Sequence, residues 1–230
     1  MNRTEEFLEL YKQLESAAVA SYNFPEDGSA VRRLSNMKIF QDIRPELDFC
    51  RDVRNLLQHR KKVSGQYAVE PSEGMLQLLR ATVDRVKNPV VLRQIATPIR
   101  SALWKSPDDN VVKTMRQMGE RGFTYVPILQ NGIVCGVFGQ NNVFSYLLDH
   151  GERMSETLTF RDMEAYTRID DRGSEVFRFL KPTMLKADAE ILCENEYRNK
   201  KRIGMIFLTP NGARNERVSA VLTPWNILGT

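Results

Sequence analysis

The fold class predicted by the sequence is mixed α+β. An all-α helical bundle spans residues 1–90, and a tandem pair of strand–helix–strand–strand–helix units spans 91–230. Three observations predict it. Apolar residues in the first ninety positions recur at helical spacing. After Asn88-Pro89 the period changes, and short apolar runs with turn signals take over. The later region is also a weak internal repeat, with one copy from Ile95 to Leu148 and the other from Phe177 to Leu228. Both copies run in the same order: short strand, helix, apolar strand, a turn carrying Asn-Gly, a second apolar strand, and a closing turn that opens a helix. Two copies are too few for a solenoid, so they are expected to pack on each other as a pseudo-symmetric pair.

In the bundle, Phe7, Leu8, Tyr11 and Leu14 place a helix over 4–20, with Thr4 as its expected cap and Glu5 and Glu6 suited to its first turn. Asn23 to Gly28 is a turn cluster. Residues 30–43 are read as a second helix. Pro45, favoured at a helix start, leads into a third over 46–62, whose apolar stripe is Leu47, Cys50, Val53, Leu56 and Leu57. Ser64-Gly65 breaks it. A fourth helix follows over 71–86, with Met75, Leu76, Leu79 and Val83 facing inward. The boundary falls at Asn88-Pro89, because a residue before proline is pushed out of the helical region.

In the first repeat, about 91–150, the segment 108–118 is helical. Tyr125–Leu129 and Ile133–Phe138 form a hairpin across Asn131-Gly132, since Asn-Gly supplies the positive φ angles of a tight turn. In the second, about 151–230, a helix over 187–197 precedes strands 204–209 and 218–223, joined by a longer loop over 210–217.

Composition bounds the function. The hydrophobic share is 42% and the charged share 27%, ordinary for a globular protein. No apolar run approaches the ~18 residues that cross a bilayer, and the acidic, amphipathic N-terminus lacks a secretory pattern. No membrane partner is expected, and the expected location is the cytoplasm. Cys50, Cys135 and Cys193 form no CxxC pair, and the chain has 2 histidines, so no metal site is expected. Cys135 is expected as a reduced core thiol, and Trp104 and Trp225 as packing residues. His150 reads as a helix C-terminal residue on the dipole. A net charge of +4 does not by itself argue for nucleic acid. The basic cluster Arg51, Arg54, Arg60, Lys61 and Lys62 is in the first instance a solvated helix face. Walker, GxGxxG and GxSxG motifs are absent, which argues against a conventional hydrolase or nucleotide-driven enzyme.

Ser106 to Val111, Met118, Gly122, Val126-Pro127-Ile128, Asn131-Gly132, Gly136-Val137-Phe138 and the closing Leu222-Thr-Pro-Trp-Asn-Ile227 together resemble the CBS domain, named after cystathionine β-synthase. The resemblance implies a paired arrangement called a Bateman module. It also implies a homodimer, and clefts for an adenosine-containing ligand such as AMP, ADP, ATP or another adenosyl compound, with no cofactor required. In the family a closing Thr or Ser contacts phosphate at the start of the last helix, and an Asp three positions later accepts from the ribose. Here the second copy offers Thr223 and Asn226, and the first offers Gly139 and Asn142. Both copies replace the carboxylate by an amide, and Gly139 lacks the hydroxyl as well. The cleft carrying Thr223 is therefore favoured. Met205, Val126 and Pro127 are candidate walls for the base, or plain core.

Arg54-Asn-Leu-Leu-Gln-His59 in the third helix resembles the motif of HEPN domains, helical bundles many of which act as metal-free ribonucleases when dimeric. The resemblance implies Arg54, Asn55 and His59 as catalytic candidates, with RNA as the partner. A His suits acid–base work on a 2′-hydroxyl, and an Arg suits phosphate oxygens. On an ideal helix, residues five apart sit about 140° apart, so Arg54 and His59 would meet only across two chains. Three functions stay open: a regulatory CBS pair that senses an adenine nucleotide and modulates the bundle or a partner; a dimeric ribonuclease gated by that pair; and a structural dimer with degenerate sites.

Overall fold

The computed structural model describes residues 2–59, 67, 69–151, 154–169 and 174–228, with His59 described in its backbone only. Residue contacts divide the chain into two compact units, Met1–Pro89 and Val90–Thr230.

The first unit is helical: α1 (Arg3–Tyr22), α2 (Ala30–Asn36), a 3-10 segment Lys38–Ile43, α3 (Arg44–His59) and α4 (Glu73–Lys87). The cap of α1 is Asn2 rather than Thr4. Asn2 Oδ1 accepts from Glu5 N at 2.8 Å, and Asn2 N donates to Glu5 Oε2 at 3.2 Å, a reciprocal box that leaves Thr4 buried. The expected helix 30–43 is broken at Met37. Ser35 Oγ donates to Arg32 O and Asn36 Nδ2 to the same carbonyl, and such local bonds compete with helix propagation. Phe7, Leu14, Leu34, Phe40, Leu76 and Leu79 are fully buried in one core. The basic run Arg60-Lys61-Lys62 and the break at Ser64-Gly65 lie outside the described residues.

The second unit runs α5 (Leu92–Ile95), β1 (Thr97–Pro98), α6 (Val111–Arg121), β2 (Tyr125–Gln130), β3 (Ile133–Gly139), α7 (Gln140–His150), α8 (Glu164–Thr167), β4 (Glu175–Leu180), α9 (Lys186–Arg198), β5 (Arg202–Leu208), β6 (Ala220–Leu222) and α10 (Pro224–Leu228). The repeat is visible in the pairing. In the second copy β4 lies parallel to β5, and β5 antiparallel to β6. In the first, Lys105 bridges parallel to Ile128 of β2, and β2 runs antiparallel to β3. The copies also exchange chain: β1, at the start of the first copy, pairs antiparallel with β6 of the second.

Strand alternation then makes layers. Val126, Ile128 and Phe138 face the helix-side core of the first copy with Val111 and Met118. Ile203, Ile206 and Leu208 face that of the second with Ala189. Leu129, Val137, Met205 and Phe207 share a core between the sheets. Two expectations change here. The strand over 218–223 shortens to β6, because Val218 N donates to Gly132 O and Arg217 bridges Ile133, drawing the entry to β6 onto the first hairpin. Cys135 is exposed rather than core. The β2–β3 register slips between Ile128 and Leu129, so Cys135 turns outward, with Sγ donating to Ile128 O at 3.3 Å.

Candidate ligand-binding cleft

A cleft of about 690 Å³ opens within the second unit, in the size range of small-molecule sites. One wall is the turn Gly122–Thr124 and the start of β2, with Tyr125 and Pro127. The facing wall is the start of β5, Arg202 to Met205. The end of β6 and α10 close one side, and Thr97 to Leu103 contribute along the edge. Two glycines shape the walls, Gly122 through its turn and Gly204 through a close approach. Gly122 ends α6 at φ +69, where a side chain is strained. The β4–β5 register skips Gly204, where a Cβ would stand 2.8 Å from the Phe177 ring and 3.1 Å from that of Tyr125.

Of the residues singled out from sequence, Thr223, Asn226, Met205 and Pro127 line this cleft. Val126 does not. It is fully buried on the opposite face of β2, as strand alternation requires of a residue between Tyr125 and Pro127. Gly139 and Asn142 do not line it either.

The closing turn of the second copy is internally bonded. Asn226 Oδ1 accepts from Thr223 N at 2.8 Å and from Thr223 Oγ1 at 2.9 Å, and Asn226 N donates to Thr223 O at 3.0 Å. Pro224 has no N–H. The free backbone donors expected to meet a phosphate here are largely spent. What the turn offers is Asn226 Nδ2, which has no partner among the described residues, and the acceptor lone pairs of the Thr223 hydroxyl.

The corresponding turn of the first copy is filled. Asn142 Oδ1 accepts from Gly139 N at 2.6 Å, while Nδ2 donates to Tyr166 O at 2.5 Å. A Cβ on Gly139 would stand 3.0 Å from the Tyr125 ring and 3.2 Å from Thr124 O.

Residues missed from sequence complete the cleft. Trp225, expected to pack, is 83% exposed at its rim, and Phe123 is 42% exposed. Arg202 opens β5 opposite Glu175, the first residue of β4. Its Nη2 donates to a Glu175 oxygen at 2.6 Å and to Tyr125 Oη at 3.0 Å, and Tyr125 in turn donates to Glu175. Burial and the bond to Glu175 push the Tyr125 phenol up to about 12. Neither Arg202, two residues before Gly204, nor Trp225 was marked by a signal in the sequence.

In the first unit, Arg54 turns toward α1. It pairs with Glu15 at 3.6 Å, lies 5.4 Å from the Tyr11 ring centroid, and donates to Asn55 Oδ1 at 3.2 Å. Burial raises the Glu15 carboxyl above its ordinary value, with Arg54 opposing. Arg51 pairs with Asp48 at 3.1 Å. The His59 side chain lies outside the described residues. His150 Nδ1 meets Tyr146 O at 3.2 Å and its ring stacks on Tyr146. Among the described residues no helix is long and apolar enough to cross a membrane, and no group of three His, Cys, Asp or Glu side chains gathers.

No protein-family model matches the chain, and no curated protein matches it. Among solved structures it is similar to an acetoin utilization protein (AcuB) from Vibrio cholerae, at 9% identity and a TM-score of 0.44 over 62% of this chain and 90% of that one. It is also similar to a signal-transduction protein with CBS domains from Burkholderia ambifaria, at 14% identity and a TM-score of 0.42 over 60% and 91%. A third, CBSX2 solved in complex with AMP, gives 14% identity and a TM-score of 0.41 over 60% and 93%.

Proposed function

We propose that the second unit is a ligand-sensing module whose open cleft takes an adenosine-type ligand, AMP, ADP, ATP or another adenosyl compound, and that occupancy modulates the helical unit or a partner protein. The supporting observation is the conjunction at one place of an open cleft, apolar and aromatic walls, and the Thr223–Asn226 turn. Phe123, Tyr125 and Trp225 suit a planar base, and Asn226 Nδ2 with the Thr223 oxygen suits ribose hydroxyls. Gly139 and Asn142 are closed off, so the proposal is one ligand per chain. Signalling requires that the ligand distinguish two arrangements of the protein. Assembly as a homodimer belongs to the same proposal. A light-scattering mass near 26.5 kDa, that of one chain, would count against it.

Calorimetry of the full chain with AMP, ADP, ATP and adenosine tests the proposal. Saturable binding near one ligand per chain, weakened by Asn226→Ala, is the expected result. Absence of heat and of any melting shift with all four, at concentrations far above the micromolar range, would leave a purely structural pair.

A further inference from the structure

Resting on the reading of the cleft as a nucleoside site, we propose that Arg202 is its anion-recognising group, so that it selects a ligand bearing a phosphate or carboxylate over the neutral parent nucleoside. An anionic group entering the cleft finds few backbone donors at the closing turn. The Thr223 N–H and O–H are given to Asn226, the Asn226 N–H is given to Thr223 O, and Pro224 has none. A side chain has to supply the charge. Among the described residues lining the cleft Arg202 is the single charged one, and none is a carboxylate that would repel an anion.

Arg202 is also held in place. Glu175, 20% exposed in its side chain, and Tyr125 Oη grip one end of the guanidinium, while the Arg202 side chain as a whole is 70% exposed. Among the described residues both bonds use Nη2. The Nε and Nη1 hydrogens remain, each a charge-assisted donor to a phosphate or carboxylate oxygen. Fixing one end this way lowers the ordering cost of binding at the other. Glu175 also partly neutralises Arg202, so it opposes the very interaction it orients. Removing its charge is expected to strengthen anion binding.

The test is calorimetry of the full chain with AMP and with adenosine, for the native protein, Arg202→Gln, Glu175→Gln and the charge control Lys200→Gln, with melting checked for each. Lys200 is exposed and does not line the cleft. AMP should bind about tenfold or more tighter than adenosine. The gap should close in Arg202→Gln through loss of AMP affinity alone, persist in Lys200→Gln, and widen in Glu175→Gln. Equal binding of AMP and adenosine by the native protein would overturn the role of Arg202 while leaving the cleft a nucleoside site. So would a gap that survives Arg202→Gln, closes equally in Lys200→Gln, or fails to widen in Glu175→Gln. Failure of both compounds to bind any of the four proteins would overturn the nucleoside reading itself, and this inference with it.

Discussion

In both repeats the last strand ends in a turn where an Asn, three residues on, accepts from the backbone N–H at the strand end: Asn142 from Gly139 and Asn226 from Thr223. The two turns differ in what lies beyond that shared bond. At Asn142 the other end of the amide donates to Tyr166 O in α8, and the Tyr125 ring packs over Gly139. At Asn226 the other end has no partner among the described residues and the turn borders a cleft of about 690 Å³. The same local motif thus serves as a structural staple in one copy and as a candidate binding element in the other. Its neighbours decide which, because an amide with both ends bonded inside the protein has no capacity left for a ligand.

The sharpest break of this comparison is to remove each amide in turn. Asn142→Ala strands the buried Gly139 N–H and the Tyr166 carbonyl, which costs about 2 kcal/mol. Asn226→Ala strands only the Thr223 donors beside an open cleft and is expected to cost less, while weakening the ligand. Trp104 and Trp225 both lie in the second unit, so tryptophan fluorescence in a denaturant series reads its stability directly. Equal destabilisation by the two variants would mean that the filled and open turns are energetically alike.

Asn226→Asp sharpens the same contrast from the ligand's side. One carboxylate oxygen can keep the Thr223 cap, and the second becomes a charge-assisted acceptor for ribose hydroxyls, where the amide only donates. Affinity for adenosine, which carries no opposing charge, should rise about tenfold. Calorimetry showing unchanged or weaker binding would displace the ribose from this residue.

Much of the architecture was legible in the sequence, for identifiable reasons. Asn131-Gly132 forces a turn with φ of +55 and +81, so the β2–β3 hairpin had to fall where it does. The helical stripes in the first unit match a core in which Leu47, Cys50 and Leu57 are buried on one face of α3. Three features were not legible, because each depends on strand pairing or packing that no residue pattern announces. The exchange of β1 onto β6 is a long-range pairing of two residues with no periodic signal. The outward turn of Cys135 follows from a register slip in the hairpin, which an apolar run does not announce. At the site, Thr223 and Asn226 were found through the closing turn, but Arg202 and Trp225 became visible only once the two repeats faced each other.

Gly139→Ser asks whether the missing hydroxyl alone explains the difference between the copies. Its Cβ would press on Tyr125 and on the Thr124 carbonyl, so a loss of about 1 kcal/mol is expected from overpacking. The calorimetric stoichiometry should stay at one ligand per chain, since Tyr166 still holds Asn142. A second binding event in this variant would show that the first turn lacks only its hydroxyl and is not sealed by its neighbours.

The smallest effect is expected where the two copies touch through the Tyr125 phenol. Tyr125→Phe removes the group that donates to Glu175 and accepts from Arg202, a loss of about 0.5 kcal/mol near neutral pH, since Arg202 and Glu175 stay bonded to each other. The pH dependence separates this bond from simple packing. The phenol's ordinary value is 10.0 and burial with the Glu175 bond lifts it to about 12 in the folded protein. Between these values the unfolded chain releases the proton while the folded protein keeps it. The unfolded state then binds fewer protons, and stability falls as pH rises through that window. Tyr125→Phe has no such proton to lose. The stability difference between the native protein and the variant should therefore be full below pH 10 and shrink above it, as read from denaturant midpoints by tryptophan fluorescence at pH 8, 10 and 11. A difference constant across that series would mean that the Tyr125 phenol is not the proton-holding group between the copies.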